Sequence, residues 1–134
     1  MLVEHARNLC GIVDAAHAEY ETPGTLIVTL LACSLRDSQI EVGFTPGTQL
    51  ARLHDSSRAL ERTTCSYGLD PTFASIASQH AMVVAASDAT GEVRAVERSD
   101  HPFFVATLYQ PQLSSAIGNP HPIWKGFARA AQGR

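Results

Sequence analysis

No apolar run in this sequence is longer than the stretch from Thr25 to Cys33. That is far short of the roughly 20 residues a membrane-spanning helix needs, so the core must be assembled from short strands and amphipathic helices. The charged start and small-residue cleavage site of a signal peptide are also absent from its flanks, and a cytoplasmic protein is expected, with no membrane partner. At 134 residues the chain is read as one domain, residues 1–134, able to bury roughly two-thirds of its unfolded surface. Ten basic and thirteen acidic residues are spread without a block or stripe, which removes nucleic acid from the expected partners.

Periodicity and punctuation give the elements. A helical rhythm over Leu2–Leu9 stops at Gly11, and Ala15–Gly24 reads as an irregular loop. Leu26–Leu31 is a β-branched run suited to a buried strand, and Gln39–Phe44 alternates like a half-buried one. After a turn at Thr45–Thr48, Gln49–Leu53 is expected to return as a strand. Asp70 and Pro71 are a cap and a first helical residue for a helix to Gln79. Met82–Ala86 and Glu92–Glu97 form a hairpin, and Phe103–Tyr109 reads as a deeply buried strand. A last helix from Pro122 sets Trp124, Phe127, Ala128 and Ala131 on one face, expected to be core. Cys10, Cys33 and Cys65 have spacings that suit neither a disulfide framework nor a CxxC zinc site. No spacing recommends a metal site from His5, His17, Cys33 or Cys65. His101 and His121 each precede proline and read as turn residues. No cofactor is implied.

Three ordered segments resemble the amidotransferase domain of CTP synthase. The first is Glu4-His5-Ala6-Arg7-Asn8 with Asp14-Ala15-Ala16-His17-Ala18-Glu19-Tyr20. The second is Glu61-Arg62 with Tyr67. The third is Asp100-His101-Pro102-Phe103-Phe104-Val105-Ala106-Thr107-Leu108-Tyr109-Gln110-Pro111-Gln112, followed by His121-Pro122-Ile123-Trp124-Lys125-Gly126-Phe127. The chain is also similar to an actinobacterial-style branch of CTP-synthase C-terminal-region-related proteins, through Leu31-Ala32-Cys33-Ser34-Leu35 and Thr63–Pro71. The resemblance implies an α/β fold: a partial class I glutamine amidotransferase-like (flavodoxin-like) domain, with a mixed sheet, a β-hairpin and flanking helices. It covers only the second half of the family's domain. It also implies that Glu19 sits in a loop that holds substrate glutamine.

Where the family carries its catalytic histidine and orienting glutamate in H-P-E, this chain has Gln110-Pro111-Gln112. The family's cysteine elbow would lie upstream of the first helix, and Cys10, at that helix's far end, does not replace it. A glutamine amide has no useful basicity near neutral pH, so thiol activation by the usual route is lost. Glutaminase activity is therefore not expected of this chain, and an amidotransferase-like domain that binds a small ligand or a protein partner is. The inherited cavity, with Glu19, Tyr109 and Gln110 as ligand-binding residues, is the expected site. One alternative is a repurposed enzyme, such as a biosynthetic tailoring step, in which His17, Glu19, Cys65 and Tyr67 act in acid–base or nucleophilic roles. In that reading Cys65 lies ahead of a helix N-terminus, His17 is its base and Glu19 the orienter. Another is half of a split amidotransferase completed by a separate chain. A homodimer covering the surface of the absent half is the simplest expected assembly. A natural start upstream of Met1 also remains open.

Overall fold

The computed structural model describes residues 1–20, 23–31 and 35–133; Cys33 lies outside the described residues. The elements are α1 (Leu2–Asn8), β1 (Ala15–His17), β2 (Thr25–Leu30), β3 (Ser38–Phe44), α2 (Gln49–His54), β4 (Arg58–Thr63), β5 (Tyr67–Leu69), α3 (Pro71–Ser78), β6 (Met82–Ser87), β7 (Val93–Arg98), β8 (Val105–Thr107) and α4 (Pro122–Ala131). Single 3-10 turns occupy Ala18–Tyr20 and Pro111–Ser114. One sheet has the order β4-β3-β6-β7-β8, antiparallel throughout. A smaller sheet, β1-β2-β5, holds a parallel pair (β1 with β2) and an antiparallel one (β2 with β5). No described helix is long and apolar enough to cross a membrane.

The β6–β7 hairpin separates two cores, because successive strand residues face opposite sides. Met82 and Val96 pack with Ile27, Val28, Leu69, Phe73 and Ala77 under α1 and α3. Ala85, Ala86 and Ala95 pack on the other side with Val42, Phe44, Leu50, Tyr109 and Ile123. At the hairpin turn, Asp88 Oδ1 accepts the Thr90 and Glu92 N–H groups, and Oδ2 accepts Arg94 Nε at 2.8 Å and Nη2 at 2.6 Å. Burial pushes the Asp88 carboxyl up, but the hydrogen bonds from Thr90 and Arg94 outweigh it and hold the group below its usual range.

Four expectations are corrected. Gln49–Leu53 is helical, because Thr48 Oγ1 accepts from Ala51 N–H and the carboxylate of Glu97, 47 and 48 residues away, accepts from Leu50 and Gln49 N–H at 3.0 and 2.7 Å. The returning strand is instead β4. Ala15–His17 is a strand, since two small buried alanines allow close parallel pairing with Thr25 and Leu26. Phe103–Tyr109 contributes only three strand residues, and these are half-buried because β8 is an outer strand of its sheet. The Trp124/Phe127 face is not core: α4 buries Ile123 and Gly126, leaving Trp124 43% and Phe127 55% exposed. A Cβ on Gly126 would lie 2.6 Å from Leu53 Cδ2 and 2.8 Å from Phe103 Cε2, so glycine is what lets α4 close on α2.

The remote cap generates a ranking. Glu97→Ala leaves two α2 N–H groups without their acceptor and is expected to cost about 3 kcal/mol. Thr48→Ala removes one cap bond and is expected to cost about 1 kcal/mol. Urea unfolding of the two variants checks the order.

Candidate functional site

Beta1, β4 and β5 end around one polar cleft of about 260 Å³. His17 and Glu19 enter it from the end of β1 and its 3-10 turn, and Arg36 from the approach to β3. Thr64, Cys65 and Ser66 come from the link between β4 and β5, Tyr67 from β5 and Gln110 from the segment after β8. Residues far apart in sequence are thus brought together: His17, Glu19, Cys65, Tyr67 and Gln110 share one wall.

The hydrogen bonds within the cleft determine what it offers. Cys65 Sγ donates to the Tyr67 carbonyl at 3.5 Å and lies 3.4 Å from the Tyr67 N–H, which it accepts. The thiol therefore folds back on its own backbone, with β5 standing between it and the start of α3. His17 Nδ1 accepts the Glu19 N–H at 3.1 Å, which assigns the ring hydrogen to Nε2. In this geometry the imidazole presents a donor to the cleft. Its ring sits against Tyr67 and Tyr20, with centroids 5.1 and 5.5 Å away.

Gln110 is a staple. Its Oε1 accepts the Thr64 N–H at 2.7 Å, and its own N–H donates to Arg62 O at 3.0 Å. Thr63 Oγ1 adds a bond to Leu108 O at 3.0 Å. The side-chain amide thus spends its acceptor on the backbone and leaves its NH2 group as a donor. Tyr109 and Gln112 do not reach the cleft; with Gln110 they line a neighbouring groove of about 480 Å³, whose other walls include Met1, Phe103, Trp124 and Phe127. His5 stands apart from both, over a hollow with Glu4, Asn8, Arg98 and Phe104.

Curated relatives match nearly the whole chain. The CTP synthases of Aeropyrum pernix and Archaeoglobus fulgidus are 35% and 32% identical over 141 residues, covering 96% and 97% of this chain and 26% of each relative. Among solved structures, the glutaminase domain of Trypanosoma brucei CTPS with bound acivicin matches with a TM-score of 0.91 at 22% identity, covering 99% of this chain and 56% of that one. The chain is a partial CTP-synthase-type amidotransferase domain. This chain spans about a quarter of the length of the curated relatives it matches. A putative GMP synthase component from Thermoplasma acidophilum shares the amidotransferase-like fold more loosely, with a TM-score of 0.58 at 14% identity over 79% of this chain and 48% of that one. No family model matches.

A second cluster was not visible in the sequence. His54 at the end of α2, Glu61 on β4 and His121 at the cap of α4 each bring one ring nitrogen or carboxylate oxygen within 4.8 Å of the others. His121 is a helix cap, accepting the Ile123 N–H at Nδ1, and also a buried partner of Glu61 at 2.9 Å. His101 keeps a turn role, with Nδ1 accepting from Phe103 N–H. Positions 54, 61 and 121 follow no motif spacing; the only sequence signal was the His-Pro start of α4.

The staple predicts a local effect. Gln110→Ala is expected to speed hydrogen exchange at the Thr64 amide by about fivefold, the loss of about 1 kcal/mol, while Gln110→Glu, which keeps the acceptor, leaves it protected. Amide exchange followed by NMR reads both.

Proposed function

We propose that this domain does not hydrolyse glutamine and instead holds a small polar ligand in the cleft between Glu19 and Gln110. One observation carries the reading: the amide of Gln110, at the position of the family's catalytic base, is committed to the Thr64 N–H and has no useful capacity to take up a proton. Gln112 brings no carboxylate to orient a base and lines the groove instead. Around the cleft, Arg36, the His17 Nε2–H and the Gln110 NH2 group suit a carboxylate, and Glu19 suits an amine or hydroxyl. The ligand class is therefore a small amino-acid-like molecule, bound in the cytoplasm.

A second reading, a repurposed enzyme using Cys65, His17, Glu19 and Tyr67, has in its favour that all four line the same cleft. Against it, the Cys65 thiol bonds to the Tyr67 backbone and the His17 lone pair at Nδ1 is taken by Glu19. The groove along Trp124 and Phe127 is the surface for assembly, either as a homodimer or with a separate chain supplying the rest of the domain, a reading supported by the partial match to the relatives. Light scattering on the purified chain is expected to show a dimer; a monomer at every concentration, with no chain that joins it, contradicts both forms.

Titrating glutamine and glutamate into the labelled chain is expected to shift the Cys65–Tyr67 amides and the Gln110 side-chain amide saturably, with Kd of about 1 mM or tighter. Glu19→Ala removes the response. Cys65→Ser retains it under the binding reading and abolishes turnover under the enzyme reading. Absence of any shift for either amino acid overturns the proposed ligand class.

A further inference from the structure

The pair of Glu61 and His121 explains only part of the chemistry buried around it. Glu61 is 2% exposed, and its Oε1 accepts His121 Nε2–H at 2.9 Å. Because His121 Nδ1 accepts the Ile123 N–H at 3.2 Å, the ring has its hydrogen on Nε2 and meets the carboxylate as a neutral donor. Among the described residues, Glu61 has no Arg or Lys ion-pair partner; His121 is its one close basic group. Three further polar atoms, Glu61 Oε2, His54 Nε2 and Tyr109 Oη, are buried without a hydrogen-bond partner.

These orphans belong to one neighbourhood. The His54 ring lies edge-on to His121 at 5.1 Å, with Phe44 packed on it at 4.2 Å, and the Tyr109 ring is 6.3 Å from His121. A buried carboxylate without a compensating charge is costly. Unpartnered buried polar atoms are also rare enough to need a cause.

We propose that Glu61 Oε2 and His54 Nε2 form a buried binding site for a divalent transition-metal cation, zinc in particular, with the Tyr109 hydroxyl at its edge. An imidazole nitrogen and a carboxylate oxygen are the donor types zinc accepts. His121 is the positioning residue: it holds Glu61 through Oε1 and cannot offer Nε2 to the cation without surrendering the cap of α4. The remaining coordination positions fall to water. Burial and the neighbouring His121 lower the pKa of His54 to about 4, against an opposing pull from Glu61, so its ring is available as a neutral ligand at pH 7. The charge of Glu61 also helps, after burial, to push the Tyr109 hydroxyl well above its ordinary range, which keeps that group a neutral neighbour.

The test is zinc chloride added to the metal-free chain, read by calorimetry and by thermal melting. Saturable binding is expected, with a rise in Tm, unchanged in Cys65→Ser. Glu61→Gln keeps the Oε1 acceptor for His121 but removes the charge, and His54→Gln removes the imidazole; each is expected to weaken zinc binding by about tenfold or more. X-ray absorption of the zinc-loaded wild-type chain is expected to show nitrogen and oxygen ligands, and it decides the matter if either variant unfolds. No binding, binding unchanged by both substitutions, or sulphur in the coordination shell overturns the proposal.

Discussion

The segment after β8 is laced to β4 by three hydrogen bonds, and the rest of the structure takes its arrangement from that seam. Thr63 Oγ1 holds Leu108 O, Gln110 N–H holds Arg62 O, and the Gln110 amide oxygen holds the Thr64 N–H. Three successive features follow from this register. Tyr109 is turned into the second core, Gln110 faces the polar cleft, and Gln112 falls on the apolar groove. Each bond is worth only about 1 kcal/mol net, but together they fix where every group after Thr107 can point. The chemistry follows from the geometry: the side chain at position 110 is a structural acceptor, so a proton acceptor for a thiol must come from elsewhere.

The same seam carries β4 past the start of α4, where Glu61 meets His121. Two capping devices in this half of the molecule use distant groups: Glu97 receives the first N–H groups of α2, and His121 joins the α4 cap to a carboxylate 60 residues away. Short helices gain little from propensity alone. Alpha2, with six residues, is held by such partners, and its last residue is thereby placed beside Glu61.

Much of the frame was legible in the sequence wherever the signal was local. Asp70 caps α3 through Thr72 and Phe73 N–H as its Asp-Pro start implies, and the β6–β7 hairpin closes around Asp88 between its two runs. Elements fixed by remote partners were not legible: α2 reads as a strand without Glu97, and β1 reads as a loop without β2. The Trp124 face looked like core because periodicity reports amphipathicity and not what covers it. In the cleft, Glu19, Cys65 and Gln110 could be linked only through resemblance to a known family, since their separations carry no pattern. The cluster of His54, Glu61 and His121 had no such guide.

The Gln110 amide has taken the place of the base without taking over its function, and the functional reading turns on that exchange. Steady-state hydrolysis of glutamine by the purified chain, followed as glutamate and ammonia released, addresses it most directly. The expected result is no turnover above the uncatalysed background, in the wild-type chain and in Cys65→Ser alike. Enzymatic release of ammonia by the chain alone would contradict it.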